Sequence, residues 1–214
     1  MNSTMAAACA AALASVASVE AGIFTYSAQD LTAGISSGGA GDEATFNGLT
    51  GWYGSRAHSE FGFLQFASIG SSLMDNQFSV TARAFVNATS PGYGGYDAYA
   101  SYELDFTVTE DAIATIYVDL GNEMPQGSNL SMALSGPGGS IYSAFGVDET
   151  IFNRTLLAGT YRMIALIWTT APSAGDFSNE SWLTFSMNAI PVPGPAGVAV
   201  FGVLGLAGSR RRVR

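Results

Sequence analysis

The chain has 214 residues, of which 48% are hydrophobic and only 12% charged. This length fits one domain of ordinary size once terminal segments are set aside. Between Gly22 and Ile190 sixteen acidic residues stand against four arginines (4 − 16 = −12), and no lysine occurs. Because phosphate binding relies on clustered Lys and Arg, this charge argues against nucleic acid as a partner.

An uncharged apolar run, Met5–Val19, opens the chain. The run is too short to span a bilayer, and Val19 and Ala21 place small residues at the −3 and −1 positions of a signal-peptidase site. We therefore expect residues 1–21 to be a signal helix, which signal peptidase removes between Ala21 and Gly22. The alternative, an Ala-rich amphipathic helix, would need a charged face that the run does not supply.

Cys9 is the only cysteine of the chain and lies inside the predicted signal helix. A mature protein without cysteine has no disulfide, no thiolate metal site and no thiol nucleophile. Ala6-Ala7-Ala8 precede Cys9 where a lipoprotein signal would carry a large aliphatic residue, which disfavours lipidation.

Residues 22–189 alternate short apolar and aromatic runs with turn residues, which is typical of an all-β sandwich or barrel. Breakers separate the runs, among them Ser90-Pro91-Gly92 and Gly136-Pro137-Gly138-Gly139. The pattern favours one domain with two antiparallel sheets packed as a jelly-roll-like sandwich. The predicted strands are Phe61–Ile69, Gln77–Val86, Ala98–Thr109, Ala112–Leu120, Leu130–Leu134, Thr160–Trp168 and Trp182–Asn188.

The segment from Tyr99 to Asn188 weakly resembles the bacterial pre-peptidase C-terminal β-sandwich domain. A Leu-x-Leu strand running into Gly-Pro-Gly is represented by Leu130–Leu134 and the residues after it. The Leu-x-x-Gly-Thr-Tyr motif that opens a late strand of that family corresponds to Leu157–Tyr161. Because such domains are accessory modules, the resemblance implies binding or packing rather than catalysis.

His58, the only histidine, lacks the partners that catalysis or metal binding would need. No Gly-x-Ser-x-Gly elbow accompanies it, and a histidine-based metal site normally has a second histidine. We interpret His58 as a surface or hydrogen-bonded residue.

Paired carboxylates can cleave glycosides when they flank a sugar at a set separation. Glu103 and Asp105 share one strand face by their spacing, and Glu110 and Asp111 follow in a turn. Solvated strand and turn acids are the simpler interpretation, so no catalytic residue is assigned.

Calcium is the one candidate cofactor, because hard cations take several oxygen ligands from loops. Asp119-Leu120-Gly121-Asn122-Glu123 and Asp42-Glu43 are candidate ligand clusters. Neither has the spacing of an EF-hand, so the metal ligands stay unknown.

Aromatic residues in Gly-rich segments suggest a sugar-binding surface, because exposed flat rings stack on apolar sugar faces. The candidates are Trp52 and Tyr53 in a Gly-flanked turn, and Tyr93, Tyr96 and Tyr99 around a Gly/Tyr-rich loop. A mobile connector would have the same composition. Trp168 and Trp182 lie in predicted strands and are expected to be core.

Residues 190–214 form a Pro-rich break, an apolar run from Pro195 to Gly208 and an arginine cluster. A helix over this run would be about 21 Å long, short of the roughly 30 Å hydrocarbon core. We expect a marginal, transient inner-membrane anchor whose arginines stay in the cytoplasm. The alternative, a buried soluble helix, is disfavoured by its four glycines.

This arrangement resembles the PEP-CTERM sorting signal of Gram-negative bacteria, in which a membrane exosortase is thought to cut near a Pro-Glu-Pro triplet. Pro193-Gly194-Pro195 stands in the place of that triplet, and Arg210, Arg211 and Arg212 form the basic end. The resemblance implies an exosortase-type membrane protease as a partner, and a location in the cell envelope or outside the cell.

Together these features predict an exported, non-catalytic β-sandwich that works through surface interaction, with extracellular polysaccharide as the candidate partner. One alternative is a secreted carbohydrate-active hydrolase that uses a carboxylate pair. Another is a purely structural matrix protein with no discrete site.

Overall fold

The computed structural model describes residues 22–37, 40–60, 63–88, 95–124, 126–171 and 177–192. Within these ranges the chain forms strands and no helix, which confirms the all-β prediction. The predicted signal helix and hydrophobic tail helix lie outside them. The strands are β1 (Phe24–Ser37), β2 (Ala40–Asn47), β3 (Trp52–Glu60), β4 (Phe63–Leu73), β5 (Gln77–Ala88), β6 (Tyr96–Val108), β7 (Ala112–Asn122), β8 (Ser128–Gly136), β9 (Gly139–Phe145), β10 (Asp148–Leu156), β11 (Gly159–Ala171) and β12 (Phe177–Pro191).

The strands form two six-stranded sheets that pack face to face as a sandwich. The first sheet has the order β2-β1-β6-β11-β8-β9, and the second has the order β10-β7-β12-β5-β4-β3. Every pair of neighbouring strands is antiparallel. The predicted two-sheet antiparallel sandwich is therefore confirmed.

Alternation of side chains along each strand places one face in the core and the other in solvent. In β6 the buried positions alternate with half-buried ones over the whole strand. Tyr102, Leu104 and Phe106 point inward and are almost completely buried, whereas Glu103 and Asp105 lie on the outer face. The period-two pattern of the sequence thus predicted this strand correctly.

Both ends of the described chain lie at the same end of the sandwich, which we call the lower end. The backbone N–H of Thr109 donates to Ile23 O at 2.9 Å, and that of Val192 donates to Asp111 O at 2.9 Å. Thr109 and Asp111 belong to the turn between β6 and β7, so this turn ties down both chain ends. We call the opposite end, where β6 begins and β11 ends, the upper end.

The core at the lower end is aromatic. Phe24, Phe78 and Phe106 meet edge to face, with ring centroids 5.1–5.6 Å apart. The Tyr161 ring stacks on Phe106 at 5.4 Å, and Phe185 lies 5.4 Å from Phe78. Rings of this size bury large apolar areas and stabilise both sheets against each other.

The core at the upper end contains buried polar side chains that bond to one another. Thr169 Oγ1 donates to Ser181 Oγ at 2.6 Å, and Asn179 Nδ2 donates to Ser128 Oγ at 2.7 Å. Asn179 Oδ1 also accepts the backbone N–H of Met124 at 3.0 Å. Since buried polar groups are costly unless paired, these bonds allow a polar interior at this end.

The structure has β1, β2, β3, β9 and β10 in addition to the predicted strands. β1 is irregular because its register shifts between Tyr26 and Ala28, which hides the period-two pattern. The remaining four are edge strands, in which polar and apolar residues do not alternate regularly. β12 ends at Pro191, two residues beyond the predicted domain boundary.

Candidate functional site

A transverse row of side chains crosses the outer face of the first sheet near the upper end. The strand register places Glu43 of β2 beside Gly34 of β1, and Gly34 beside Tyr99 of β6. Tyr99 is in turn paired with Trp168 of β11, which is paired with Asn129 of β8. We call these five residues the ring row.

The two aromatic rings of the row, an exposed Trp168 and a half-buried Tyr99, have centroids 5.8 Å apart and planes inclined by 38°. Trp168 is 41% exposed, so the expectation that it is a core residue is wrong. Ile167 and Thr169 point inward, and Trp168 between them must face outward. The continuous apolar sequence around Trp168 hid this alternation. Trp168 is an odd number of residues from Tyr161, so in a regular strand the two side chains must lie on opposite faces.

Gly34 lets the Tyr99 ring lie flat on the backbone of β1. A Cβ atom at position 34 would overlap the phenol ring of Tyr99, so a side chain there must displace the ring. The Tyr99 hydroxyl donates a hydrogen bond to Glu43 Oε1. Burial, together with this bond, raises the pKa of Tyr99 to about 12, so its ring stays neutral at physiological pH.

A depression of about 340 Å³ lies beside Trp168 and is lined by Gly127, Ser128, Asn129 and Thr170. Gly127 adopts a φ of 81°, and a Cβ atom there would meet Thr170 O at 2.6 Å, so the position requires glycine. The Gly127 carbonyl accepts the backbone N–H of Thr170 at 2.7 Å. The depression therefore places amide and hydroxyl groups next to an exposed ring.

Trp52 and Tyr53 begin β3 instead of lying in a turn, and they point to opposite faces of the second sheet. The Trp52 ring stacks on Phe46 at 5.2 Å with an 8° inclination and is half-buried. Tyr53 is 66% exposed on the outer face, where its ring lies near Gly70. Only Tyr53 of these two has the exposure that sugar stacking requires.

Tyr96 lies in the core, contrary to the prediction that it is an exposed loop residue. Tyr96 is only 6% exposed, and its ring stacks on Phe63 with centroids 4.2 Å apart. The reason is that β6 begins at Tyr96, which points inward. Tyr93 lies outside the described residues. The structure does not bring Trp52, Tyr53 and Tyr96 together on one surface.

Neither of the two carboxylate pairs considered for glycoside hydrolysis faces a cleft. Glu103 and Asp105 form ion pairs with the same arginine. Arg162 of β11 pairs with Glu103, and its Nε lies 3.8 Å from Asp105 Oδ1. Glu110 and Asp111 lie in the turn at the lower end, where Asp111 Oδ1 accepts the backbone N–H of Ala158 at 2.8 Å. These contacts form surface ion pairs and a turn, not a cleft with two opposed acids.

The candidate calcium ligands also bond to other side chains. Asp42 Oδ1 lies 3.1 Å from Arg56 Nε, and Asp119 Oδ1 accepts the indole N–H of Trp182 at 3.0 Å. Among the residues that the structure describes, no three His, Cys, Asp or Glu side chains converge as a metal site would require. Calcium binding stays a prediction.

His58 is half-buried in β3, and its ring lies 5.4 Å from that of Phe63. Together with Ile35, Gly41 and Gln65 it lines a cleft of about 180 Å³ between the two sheets. The surroundings of His58 are those of a packed side chain at the side of the sandwich.

Most residues of the predicted processing sites, namely Ala21, Pro193, Gly194, Pro195, Arg210, Arg211 and Arg212, lie outside the described residues. Gly22 is described, and its carbonyl accepts the Thr109 hydroxyl at 3.1 Å. In the ranges that can be described, no helix has the length and apolar character needed to cross a membrane.

Comparisons with known proteins find distant structural likeness only. No protein-family profile matches the sequence, and no curated protein matches it. Among solved structures, the GH31 alpha-xylosidase from Xanthomonas citri is similar at 9% identity with a TM-score of 0.22. The match covers 78% of this chain and 28% of the xylosidase chain, so this protein spans about a quarter of that enzyme's length.

Proposed function

We propose that the chain is an exported cell-envelope or extracellular-matrix protein whose β-sandwich binds neutral polysaccharide through the ring row, without catalysis. The pairing of the exposed Trp168 ring with the half-buried Tyr99 ring on the outer face of the first sheet is the observation that carries this proposal. Tyr53 is also exposed, but it lies on the second sheet and is not part of the ring row. The ring row therefore replaces the Gly/Tyr-rich loop as the proposed sugar surface.

Sugar rings have apolar faces edged by hydroxyl groups, and the ring row offers a partner for each. The faces would stack on Tyr99 and Trp168, while Asn129 and Glu43 flank the rings with polar groups. The net charge of −12 between Gly22 and Ile190 repels acidic polysaccharides, which favours neutral ones.

Export and sorting are supported by where the sandwich starts and stops. Gly22, the predicted mature start, lies two residues before the first residue of β1, and its carbonyl accepts a hydrogen bond from the Thr109 hydroxyl. β12 ends at Pro191, just before the Pro193-Gly194-Pro195 triplet. Cleavage by signal peptidase and by an exosortase-type protease would leave the hydrogen bonds of both chain ends in place. We further propose that the sandwich has a jelly-roll-like topology and that a helix flanks it on each side. The C-terminal helix would anchor the chain transiently in the inner membrane.

The sugar-binding proposal is tested with a glycan array that carries neutral and acidic polysaccharides. We expect binding to neutral glycans, and a two- to tenfold loss in Trp168→Ala, because a ring contact is worth about 0.5–1.5 kcal/mol. Gly34→Ala should weaken binding as well, since it displaces Tyr99 without removing a ring. Tyr53→Ala, an exposed ring on the other sheet, is the matched control. No binding to any glycan would refute the proposal.

The export proposal is tested by cell fractionation and intact-mass analysis of the native protein. We expect envelope or extracellular protein that lacks Met1–Ala21 and the segment after Pro193. A cytosolic protein that retains both segments would contradict export and sorting, whatever the glycan array shows.

A further inference from the structure

The two sheets end in edge strands that line up in pairs on opposite sides of the sandwich. On one side β2 and β3 lie face to face, joined by the stacked rings of Phe46 and Trp52. On the other side β9 and β10 follow each other through the turn Gly146–Val147. In the described part of the chain, each of these strands pairs along one side only. We call the two sides the β2/β3 edge and the β9/β10 edge.

The β9/β10 edge exposes three large apolar side chains within seven residues. Phe145 is 86% exposed, Val147 64% and Ile151 70%. Phe145 lies on the outer face of the first sheet and Ile151 on the outer face of the second, so each sheet has an exposed apolar side chain at this edge. Charged side chains and Pro most commonly prevent edge-to-edge pairing. None of the four edge strands contains Pro, and β9 contains no charged residue, whereas β2, β3 and β10 do.

The direction of the strands makes the two edges complementary. β2 runs from the upper to the lower end, and β9 runs from the lower to the upper end. A second copy placed alongside in the same orientation would therefore set its β2 antiparallel to β9 of the first. The same holds for β3 and β10, so both sheets would continue across the junction together.

The register of the second sheet also brings exposed apolar side chains together across such a junction. Ile151 lies in one transverse row with Ser72 of β4, and Tyr53 of β3 pairs with Gly70, two residues from Ser72. In an unshifted junction, Tyr53 of the neighbouring copy would be the diagonal neighbour of Ile151. Diagonal neighbours on a sheet lie about 7–8 Å apart, within reach of an aromatic ring.

We propose that copies of this chain associate side by side, with the β9/β10 edge of one against the β2/β3 edge of the next. The contact joins two different surfaces, so a pair of copies still has one free β2/β3 edge and one free β9/β10 edge. Such head-to-tail contacts produce open-ended chains unless the rotation between copies closes a ring. Sheet twist rotates each copy relative to the last along the chain axis, which gives a filament. This inference does not depend on sugar binding.

The test uses the full chain in mild detergent, together with two variants of it under the same conditions. In each variant two lysines replace exposed residues of one edge, so that their charge prevents strand pairing there, and we call such an edge capped. Thr45 of β2 lies in the same transverse row of the first sheet as Phe145, so it would face Phe145 of the neighbouring copy in an unshifted junction. The first cap is Phe145→Lys with Ile151→Lys, and the second is Thr45→Lys with Tyr53→Lys. The matched control is Met74→Lys with Leu157→Lys, which places the same charge on exposed apolar residues in turns at the lower end. Circular dichroism checks that every variant keeps its strands.

Analytical ultracentrifugation across a wide concentration range measures the assembly. We expect the unmodified chain and the control to form a ladder of species that grows with concentration, and each capped variant to stay monomeric. An equimolar mixture of the two capped variants should form a one-to-one dimer and nothing larger. The free β2/β3 edge of one variant can pair with the free β9/β10 edge of the other, and no other uncapped pair of edges remains. A monomeric unmodified chain, a capped variant that assembles alone, or growth that stops at a dimer would each overturn the proposal.

Discussion

The two ends of the sandwich are built from different interactions. At the lower end Phe24, Phe78 and Phe106 fill the space between the sheets with rings. At the upper end the stacked rings of Phe63 and Tyr96 are accompanied by two buried polar side chains. Thr169 donates a hydrogen bond to Ser181, and Asn179 donates one to Ser128. The lower end also ties down both ends of the described chain, whereas the ring row lies near the upper end. The contrast shows that burial of aromatic rings stabilises the lower end, whereas hydrogen-bonded polar side chains contribute to the core at the upper end, near the ring row.

Phe106→Ala should cause the largest loss of stability, because the ring is fully buried in the aromatic core of the lower end. We expect the free energy of unfolding to fall by about 3–5 kcal/mol. Chemical denaturation measures the change. Phe145→Ala removes an exposed ring and serves as the control, with little expected effect. A small loss in Phe106→Ala would show that the lower end does not depend on its rings.

Asn179→Ala probes the upper end and should cost less. The substitution leaves the N–H of Met124 and the hydroxyl of Ser128 without their amide partner. An unpaired buried polar group costs about 1–3 kcal/mol, which chemical denaturation would detect. Asn188→Ala, an exposed residue of the same strand, is the control. If both variants were equally stable, the polar contacts of the upper end would contribute nothing.

Alkaline pH should weaken the fold gradually. Burial raises the pKa of Tyr26 at the lower end to about 12, and Tyr99 near the upper end has a pKa of about 12 as well. Unfolded tyrosines ionise near pH 10, so between about pH 10 and 12 the unfolded state has lost protons that the folded state keeps. The free energy of unfolding must therefore fall as the pH rises through this range.

Tyr26→Phe and Tyr99→Phe identify which end is responsible for this loss. Each variant should flatten the fall in stability measured by denaturation at a series of alkaline pH values. Phenolate absorbance of the folded protein reports the ionisation directly. Stability that stays constant from pH 10 to 12 in the unmodified chain would contradict the assigned pKa values.

Trp168→Ala should have the smallest effect on stability, because its ring lies on the outer face and packs only partly. We expect a change of about 1 kcal/mol or less in the free energy of unfolding. A larger loss would mean that Trp168 serves the fold and not a surface function.

The sequence predicts the central strands of the sandwich well, because their alternation is regular. β5 and β6 alternate buried and outward residues along nearly their whole length. β3, β9 and β10 have mixed polar patterns because they are edge strands, so their periodicity is too weak to identify them. The bulge between Tyr26 and Ala28 similarly hid β1.

The ring row could not be predicted in the same way, because its residues come from five strands distant in sequence. Which side chains stand beside Trp168 depends on the register of β6, β11 and β8, which the sequence does not specify locally. The Tyr99–Gly34 contact depends on the pairing of β1 with β6. Composition pointed to aromatic sugar binding, but only the register identifies which rings share an exposed face.

The most direct test of the ring row uses the indole N–H signals of the three tryptophans in an NMR titration. Trp168 lies in the row, Trp52 stacks on Phe46, and Trp182 bonds to Asp119 on the outer face of the second sheet. On addition of a neutral oligosaccharide that the glycan array identifies, we expect the Trp168 signal to shift while the other two stay in place. A shift of Trp52 or Trp182 with an unchanged Trp168 signal would contradict binding at the ring row.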